Sequence, residues 1–183
     1  PRIGNSDSCT YRILVADSGN HRIQAFDAQG TFVSAFGSFG SGTDQFDTPQ
    51  GLAVDSSGRI IVADSGNHRL QILSFDSTDF TFVRSITAGF SYPTGVATYV
   101  PNRIIAADTG NHAIKILDTL GNLLAEYTAP NDDYTGDFNQ PRGVVVDPNG
   151  NIVVADTGNQ RVVTLAGALP LQRLFIPLIL RAY

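Results

Sequence analysis

The chain has a single cysteine, Cys9, a single lysine, Lys115, and a single glutamate, Glu126. One thiol cannot build an intrachain disulfide framework, and it leaves the redox compartment undetermined. With one lysine, a net charge of −5 and a pI near 4.9, no basic stripe is available to track a phosphate backbone. Generic nucleic-acid binding is therefore not expected. An RNA-binding role would need one arginine per repeat gathered on a single face, Arg142 among them. No apolar run reaches the roughly 20 residues of a membrane-spanning helix. The most apolar stretch, Leu169 to Leu180, is interrupted by Pro170, Arg173 and Pro177. Hydrophobicity shows no helical period, and no segment is of low complexity.

What the chain does have is a phrase that returns. Ala16-Asp17-Ser18-Gly19-Asn20-His21-Arg22-Ile23-Gln24 reappears as Ala63-Asp64-Ser65-Gly66-Asn67-His68-Arg69-Leu70-Gln71. The third copy runs Ala107-Asp108-Thr109-Gly110-Asn111-His112-Ala113-Ile114-Lys115, and the fourth Ala155-Asp156-Thr157-Gly158-Asn159-Gln160-Arg161-Val162-Val163. Between the aspartates the steps are 64−17 = 47, 108−64 = 44 and 156−108 = 48 residues, a spacing expected of propeller blades. A second marker keeps the same phase: Phe46-x-x-Pro49-x-Gly51, Phe90-x-x-Pro93-x-Gly95 and Phe138-x-x-Pro141-x-Gly143.

Between the markers the residues form short strands rich in branched side chains: 51–55, 59–64, 69–75 and 80–86 in the second unit. Four antiparallel strands per unit cannot cover both faces of their own sheet, so successive sheets must stack, and radial stacking gives an all-β propeller. In an up-and-down blade alternate turns share a face. The Asp-x-Gly-Asn-His turns and the Phe-x-x-Pro linkers are thus expected on one face, the Asp-x-x-Gly turns on the other. Asp17, Asp64, Asp108 and Asp156 end strands, where a carboxylate can accept N–H groups of the turn it opens. Gly19, Gly66, Gly110 and Gly158 are expected to supply positive φ to that turn. Arg22, Arg69 and Arg161 are expected to pair with a neighbouring carboxylate, a pair that Ala113 breaks in the third copy.

The phrase Ala-Asp-Ser-Gly-Asn-His-Arg-Ile-Gln, preceded by Pro-x-Gly-Leu-Ala-Val-Asp and Gly-Arg-Ile-Ile-Val, resembles the NHL repeat. The resemblance covers about residues 11 to 166 and is best from Pro49 to Ile86. It weakens in the third unit, where Ala97-Thr98-Tyr99-Val100-Pro101-Asn102 replaces the usual Val-Asp-x-x-Gly turn. It implies a propeller, commonly six-bladed. It also implies a role as binding platform for proteins or RNA, as sensor domain of a membrane receptor or, in a few relatives, as metal-dependent lyase or hydrolase.

At this period the chain holds about four blades, at 11–37 (partial), 49–87, 93–128 and 141–180, read as one domain and as part of a longer, six-bladed ring. Closure by four blades or by a second chain is the alternative. The first unit lacks its innermost strand, since Gly4-Asn5-Ser6-Asp7-Ser8 stands in its place, and the chain starts at Pro1, which suits a partial chain. Counting from Asp156 puts an outermost strand at 172–178, where Pro177 is tolerable on an edge and the edge itself is prone to aggregation. Localisation stays open, with an extracellular or cell-surface setting favoured.

The catalytic search is thin. His21, His68 and His112 are the only histidines, all at one repeat position where the fourth copy has Gln160. A repeat-locked histidine that glutamine can replace reads as a turn or blade-interface residue, and zinc would need three or four such ligands converging. The acidic run 131–137 lacks the alternating ligands of a calcium loop, and Gly37 to Gly42 lacks the lysine and helix of a phosphate loop. No cofactor, metal site or catalytic residue is assigned. The expected function is a non-enzymatic platform for a protein partner, with a metal-dependent lyase or hydrolase as the alternative. Its partner surface is expected on the turn face at Asn20, His21, Asn67, His68, Asn111, His112, Asn159 and Gln160, with Gln50, Thr94 and Arg142 from the linkers.

Overall fold

The computed structural model describes residues 11–128 and 137–167. The expected edge strand at 172–178 and nearly all of the acidic run 131–137 lie outside these residues. Four separate antiparallel sheets follow one another along the chain. The first contains β1 (Arg12–Asp17), β2 (Arg22–Asp27) and β3 (Phe32–Phe36). The second contains β4 (Pro49–Val54), β5 (Ile60–Asp64), β6 (Arg69–Phe75) and β7 (Phe80–Ile86). The third contains β8 (Pro93–Tyr99), β9 (Arg103–Asp108), β10 (Ala113–Asp118) and β11 (Leu123–Tyr127). The last contains β12 (Pro141–Val146), β13 (Ile152–Asp156) and β14 (Arg161–Leu165). Each sheet is a simple meander, and among the described residues no strand of the first sheet precedes β1.

The sheets stack as blades because their residues alternate between two neighbours. In β5, Ile60 and Val62 pack against the first sheet while Ile61 and Ala63 pack against the third. In β9, Ile104 and Ala106 face the second sheet while Ile105 and Ala107 face the fourth. Both faces being covered, these strands are apolar without alternation, which is why they appear in the sequence as unbroken Ile-Ile-Val-Ala and Ile-Ile-Ala-Ala runs. Phe46, Phe90 and Phe138 are buried one in each seam between blades. Each removes about 1.5–3 kcal/mol worth of apolar surface from water.

The glycine of Pro-x-Gly serves the same stacking. A Cβ on Gly51 would stand 2.9 Å from the Val96 amide nitrogen, and one on Gly95 would stand 3.1 Å from that of Val144, each with a still closer carbonyl. The first strands of successive blades, β4, β8 and β12, therefore run backbone against backbone, a proximity only glycine permits.

Candidate functional site

At the end of β1, β5, β9 and β13 the chain makes one 3-10 turn, Ser18–Asn20, Ser65–Asn67, Thr109–Asn111 and Thr157–Asn159. The residue that takes the left-handed conformation is the one after the asparagine: His21, His68, His112 and Gln160, with φ of 54°, 54°, 54° and 53°. This corrects the expectation for Gly19, Gly66, Gly110 and Gly158, none of which has a left-handed φ. Three of them are glycine for space. A Cβ would stand 2.5 Å from Asp47 Oδ2 at Gly66, 2.7 Å from the Ser91 carbonyl at Gly110 and 2.6 Å from the Asn139 carbonyl at Gly158, while at Gly19 it would meet nothing.

The aspartates also differ from expectation, for they accept no backbone N–H of their own turn. Their first oxygen accepts the N–H of the linker that enters the same blade: Asp47 to Asp64 at 2.8 Å, Ser91 to Asp108 at 2.7 Å and Asn139 to Asp156 at 2.8 Å. The second oxygen takes a cation, Arg22, Arg69 and Arg161 at 2.8, 2.7 and 2.6 Å. In the third copy the pair is not lost with Ala113. Lys115, two residues on and on the same side of β10, reaches Asp108 at 2.8 Å, donates to the Gly89 carbonyl at 2.8 Å and lies over the Phe90 ring. The carboxylate-on-turn device and the positive-φ glycine both exist, but on the opposite face. There Asp27, Asp55, Asp118 and Asp147 accept the N–H groups two and four residues ahead, with Gly30, Gly58, Gly121 and Gly150 at positive φ.

Charge and hydrogen bonding follow. For Asp17 the Arg22 and Asn20 hydrogen bonds hold the carboxyl below its usual range. For Asp156 burial acts upward, and the Asn139 N–H, Asn159 and Arg161 outweigh it, so its pKa is also lowered.

The histidines fasten one blade to the next. His21 Nδ1 accepts the Thr48 N–H at 3.1 Å, His68 Nδ1 the Tyr92 N–H at 2.9 Å and His112 Nδ1 the Gln140 N–H at 3.1 Å. The turn hydroxyls add a second fastening. Ser18 donates to the Pro49 carbonyl, Ser65 to that of Pro93 at 2.6 Å and Thr109 to that of Pro141 at 2.7 Å. Each linker is thus held behind by imidazole and hydroxyl and ahead by carboxylate. The asparagines join in: Asn67, Asn111 and Asn159 donate both to their aspartate and to the Gly40, Gly89 and Asp137 carbonyls. Asn20 donates to Asp17.

Of the residues expected on the partner surface, Asn20, His68, Asn111, His112, Asn159, Gln160 and Arg142 are exposed, and His21, Asn67 and Gln50 are half-buried. Thr94 is not on the surface. It is 4% exposed, donating to the Arg142 carbonyl and touching the Thr109 hydroxyl at 2.7 Å, because β12 lies directly against it. Two aromatic residues were missed. Phe39 is 67% exposed and sits edge-on to the His21 ring at 4.8 Å, and Tyr92 is 38% exposed in the next linker. Tyr92 was findable, since it precedes Pro93 in a linker already assigned to this face. Phe39 lies in the glycine loop, which Arg69 ties down through the Ser41, Gly42 and Gln45 carbonyls. Among the described residues no three of His, Cys, Asp and Glu stand together as metal ligands, and no helix is long and apolar enough to cross a membrane.

These stacked meanders define an all-β chain of propeller-type blades. Two of the four carry NHL repeats: the family model described as "NHL repeat" matches residues 46–73 and 138–165. In sequence, the chain is 46% identical over 41 residues to RING finger protein nhl-1 of Caenorhabditis elegans, a match spanning 22% of this chain and 4% of that protein. In structure it is similar to a streptogramin B lyase, with a TM-score of 0.65, 16% identity and coverage of 89% of this chain and 53% of the other. It is also similar to a catalytically inactive virginiamycin B lyase from Staphylococcus aureus with quinupristin (TM-score 0.62, 14% identity, 90% and 55% covered). A third likeness is to hydrazine synthase of Kuenenia stuttgartiensis (TM-score 0.61, 17% identity, 83% and 44% covered). The chain spans about half the length of these solved structures.

Proposed function

We propose that the chain is a non-enzymatic binding scaffold that presents its turn face to a protein partner. The observation behind this reading is a surface whose backbone is fastened linker by linker while Phe39 and Tyr92 stay exposed among polar side chains. A rigid polar rim with solvent-facing aromatic groups matches the composition of protein interfaces, where aromatic anchors carry much of the affinity. The contact set comprises these two with Asn20, His21, Gln50, Asn67, His68, Asn111, His112, Arg142, Asn159 and Gln160. Thr94 is dropped as buried.

The test compares the chain with its Phe39→Ser/Tyr92→Ser variant as bait for a displayed peptide library. Ligands kept by the parent and lost by an equally stable variant support the reading. Equal retention by both refutes the surface. The second reading, a metal-dependent lyase or hydrolase, draws on the likeness to streptogramin B lyases. Turnover of quinupristin with added divalent metal would favour it instead.

A further inference from the structure

The face opposite the Asp-x-Gly-Asn-His turns makes an ion pair in one blade and breaks it in the next. In the second blade Asp55 opens the turn into β5 and Arg59 closes it, guanidinium against carboxylate at 2.7 Å. The same two places in the third blade hold Tyr99 and Arg103, since 99−55 = 103−59 = 44. The carboxylate is gone and the arginine stays. Arg103 donates to the Asn102 carbonyl at a long 3.4 Å and has no acidic side chain in ion-pair contact among the described residues. Beside it lies a cleft of about 200 Å³ between the second blade, at Val54 to Ser56, and the third, at Thr98 to Arg103. The first and fourth blades stand beyond these two, so both walls are complete within the chain. The Thr98 hydroxyl donates to the Val54 carbonyl at 2.8 Å and fixes the spacing of the walls. Val54 and Val100 are 51% and 57% exposed and make the rim apolar. Asp55 is already engaged, by the Ser57 and Arg59 N–H groups and by the Arg59 guanidinium.

We infer that this cleft binds a small organic monocarboxylate, whose acid group takes on Arg103 the place that Asp55 has on Arg59. The hydrocarbon part of the ligand lies against Val54, Val100 and Pro101. Size narrows the class: the cleft has the volume of about six or seven waters and falls below the roughly 300 Å³ of ordinary ligand pockets. Nucleotides and large cofactors are thereby excluded, and a molecule the size of one side chain fits. Charge narrows it further. A single planar guanidinium matches one carboxylate edge. Asp118 and Asp147, in other turns of this face, are held by backbone N–H groups and asparagines rather than by cations, so their field disfavours a second negative charge. The occupied precedent is the chain's own, one blade away.

The experiment titrates the whole chain with 3-phenylpropionate and follows backbone amide shifts. Saturation is expected with a Kd of about 0.1–10 mM, the range of a ligand of this size, and with shifts at Val54, Ser56, Val100, Asn102 and Arg103. The uncharged 3-phenylpropionamide should bind about tenfold more weakly or worse, and succinate and inorganic phosphate should also be weaker. Arg103→Gln should weaken 3-phenylpropionate by about tenfold or more with an unchanged Tm, because Arg103 holds no ion pair of the fold. Tyr99→Asp gives Arg103 the partner that Arg59 has and should abolish binding. Tyr99 also packs on the seam between the third and fourth blades, so Arg103→Gln decides if that variant does not fold. Absence of saturable binding over the millimolar range overturns the proposal, as does equal binding of the amide or equal binding by Arg103→Gln. A tetrapeptide ending in free phenylalanine that needs Arg103 and binds more tightly than 3-phenylpropionate would assign the cleft to a protein C-terminus, and would also overturn it.

Discussion

Replacing Gly110 by alanine adds one methyl group at a place where the neighbouring backbone has no room to retreat. The new Cβ would lie 2.7 Å from the Ser91 carbonyl oxygen. That linker is held by the Gly110 N–H itself at 2.8 Å and by its own N–H on Asp108 at 2.7 Å. Relief therefore means stretching at least one of these bonds. Overpacking of this kind typically costs about 1–3 kcal/mol. Against it stands the entropy that alanine removes from the unfolded chain, about 0.4–1 kcal/mol where φ is compatible. The net is a loss of about 1–2 kcal/mol, or a Tm lower by about 2–8 °C for a chain of this size. Gly19→Ala is the internal control. It has the same motif position and turn, but open space around the Cβ, so only the entropy gain remains and Tm should hold or rise slightly. Gly66→Ala should fall between, because the atoms it meets all belong to the movable Asp47 side chain, whereas Gly110 also meets the Ser91 backbone carbonyl. Thermal and urea unfolding by circular dichroism rank the three. Equal shifts for Gly19→Ala and Gly110→Ala would refute the claim that these glycines serve close approach.

Three further outcomes follow from the joints. Lys115→Met leaves the buried Asp108 carboxylate without its cation and should cost about 3–5 kcal/mol, whereas the pair Ala113→Arg with Lys115→Gln, copying the second blade, should recover most of it in the same unfolding assay. Ser65→Ala strands the Pro93 carbonyl in a buried seam and should cost about 1–3 kcal/mol, while His68→Gln, which keeps an acceptor at an exposed site, should cost much less. The lowered carboxyls of Asp17 and Asp156 fix the sign of the pH dependence. Their folded values lie below an unfolded value near 3.9, so their contribution is full at neutral pH and lost as pH falls through the folded values. Acid titration of Tm should be flat near neutrality and descend below about pH 4, with a shallower descent in Asp156→Asn; a descent that begins near pH 6 would contradict it.

The sequence displayed the blades because each copy must remake the same turn, so identical residues return in phase. Strands 69–75 and 80–86 match β6 and β7. What stayed hidden was whatever depends on the neighbouring blade. Thr94 has the polarity of a surface residue, and only the approach of β12 buries it. Lys115 has no motif to announce it as a replacement for Arg69, because its reach to Asp108 comes from strand pairing that brings a residue seven positions away back to the carboxylate. Gly110 and its counterparts look like turn glycines in one dimension; their crowding exists only once the linker from the preceding blade lies across them. The histidines were legible as turn or blade-interface residues because Gln160 holds the same position, but the linker N–H that each Nδ1 accepts was not.

The asymmetry of that grip has an evolutionary side. The second and third units each have a plug at the entrance, the Phe-x-x-Pro segment, and a socket at the turn, the hydroxyl and imidazole, so the two halves of a fitting lie at opposite ends of one repeat. A gene duplication whose ends fall anywhere within the unit regenerates a complete plug and socket at the new boundary. Copies can be inserted or deleted without redesigning their neighbours, and each is then free to drift wherever the fitting does not reach.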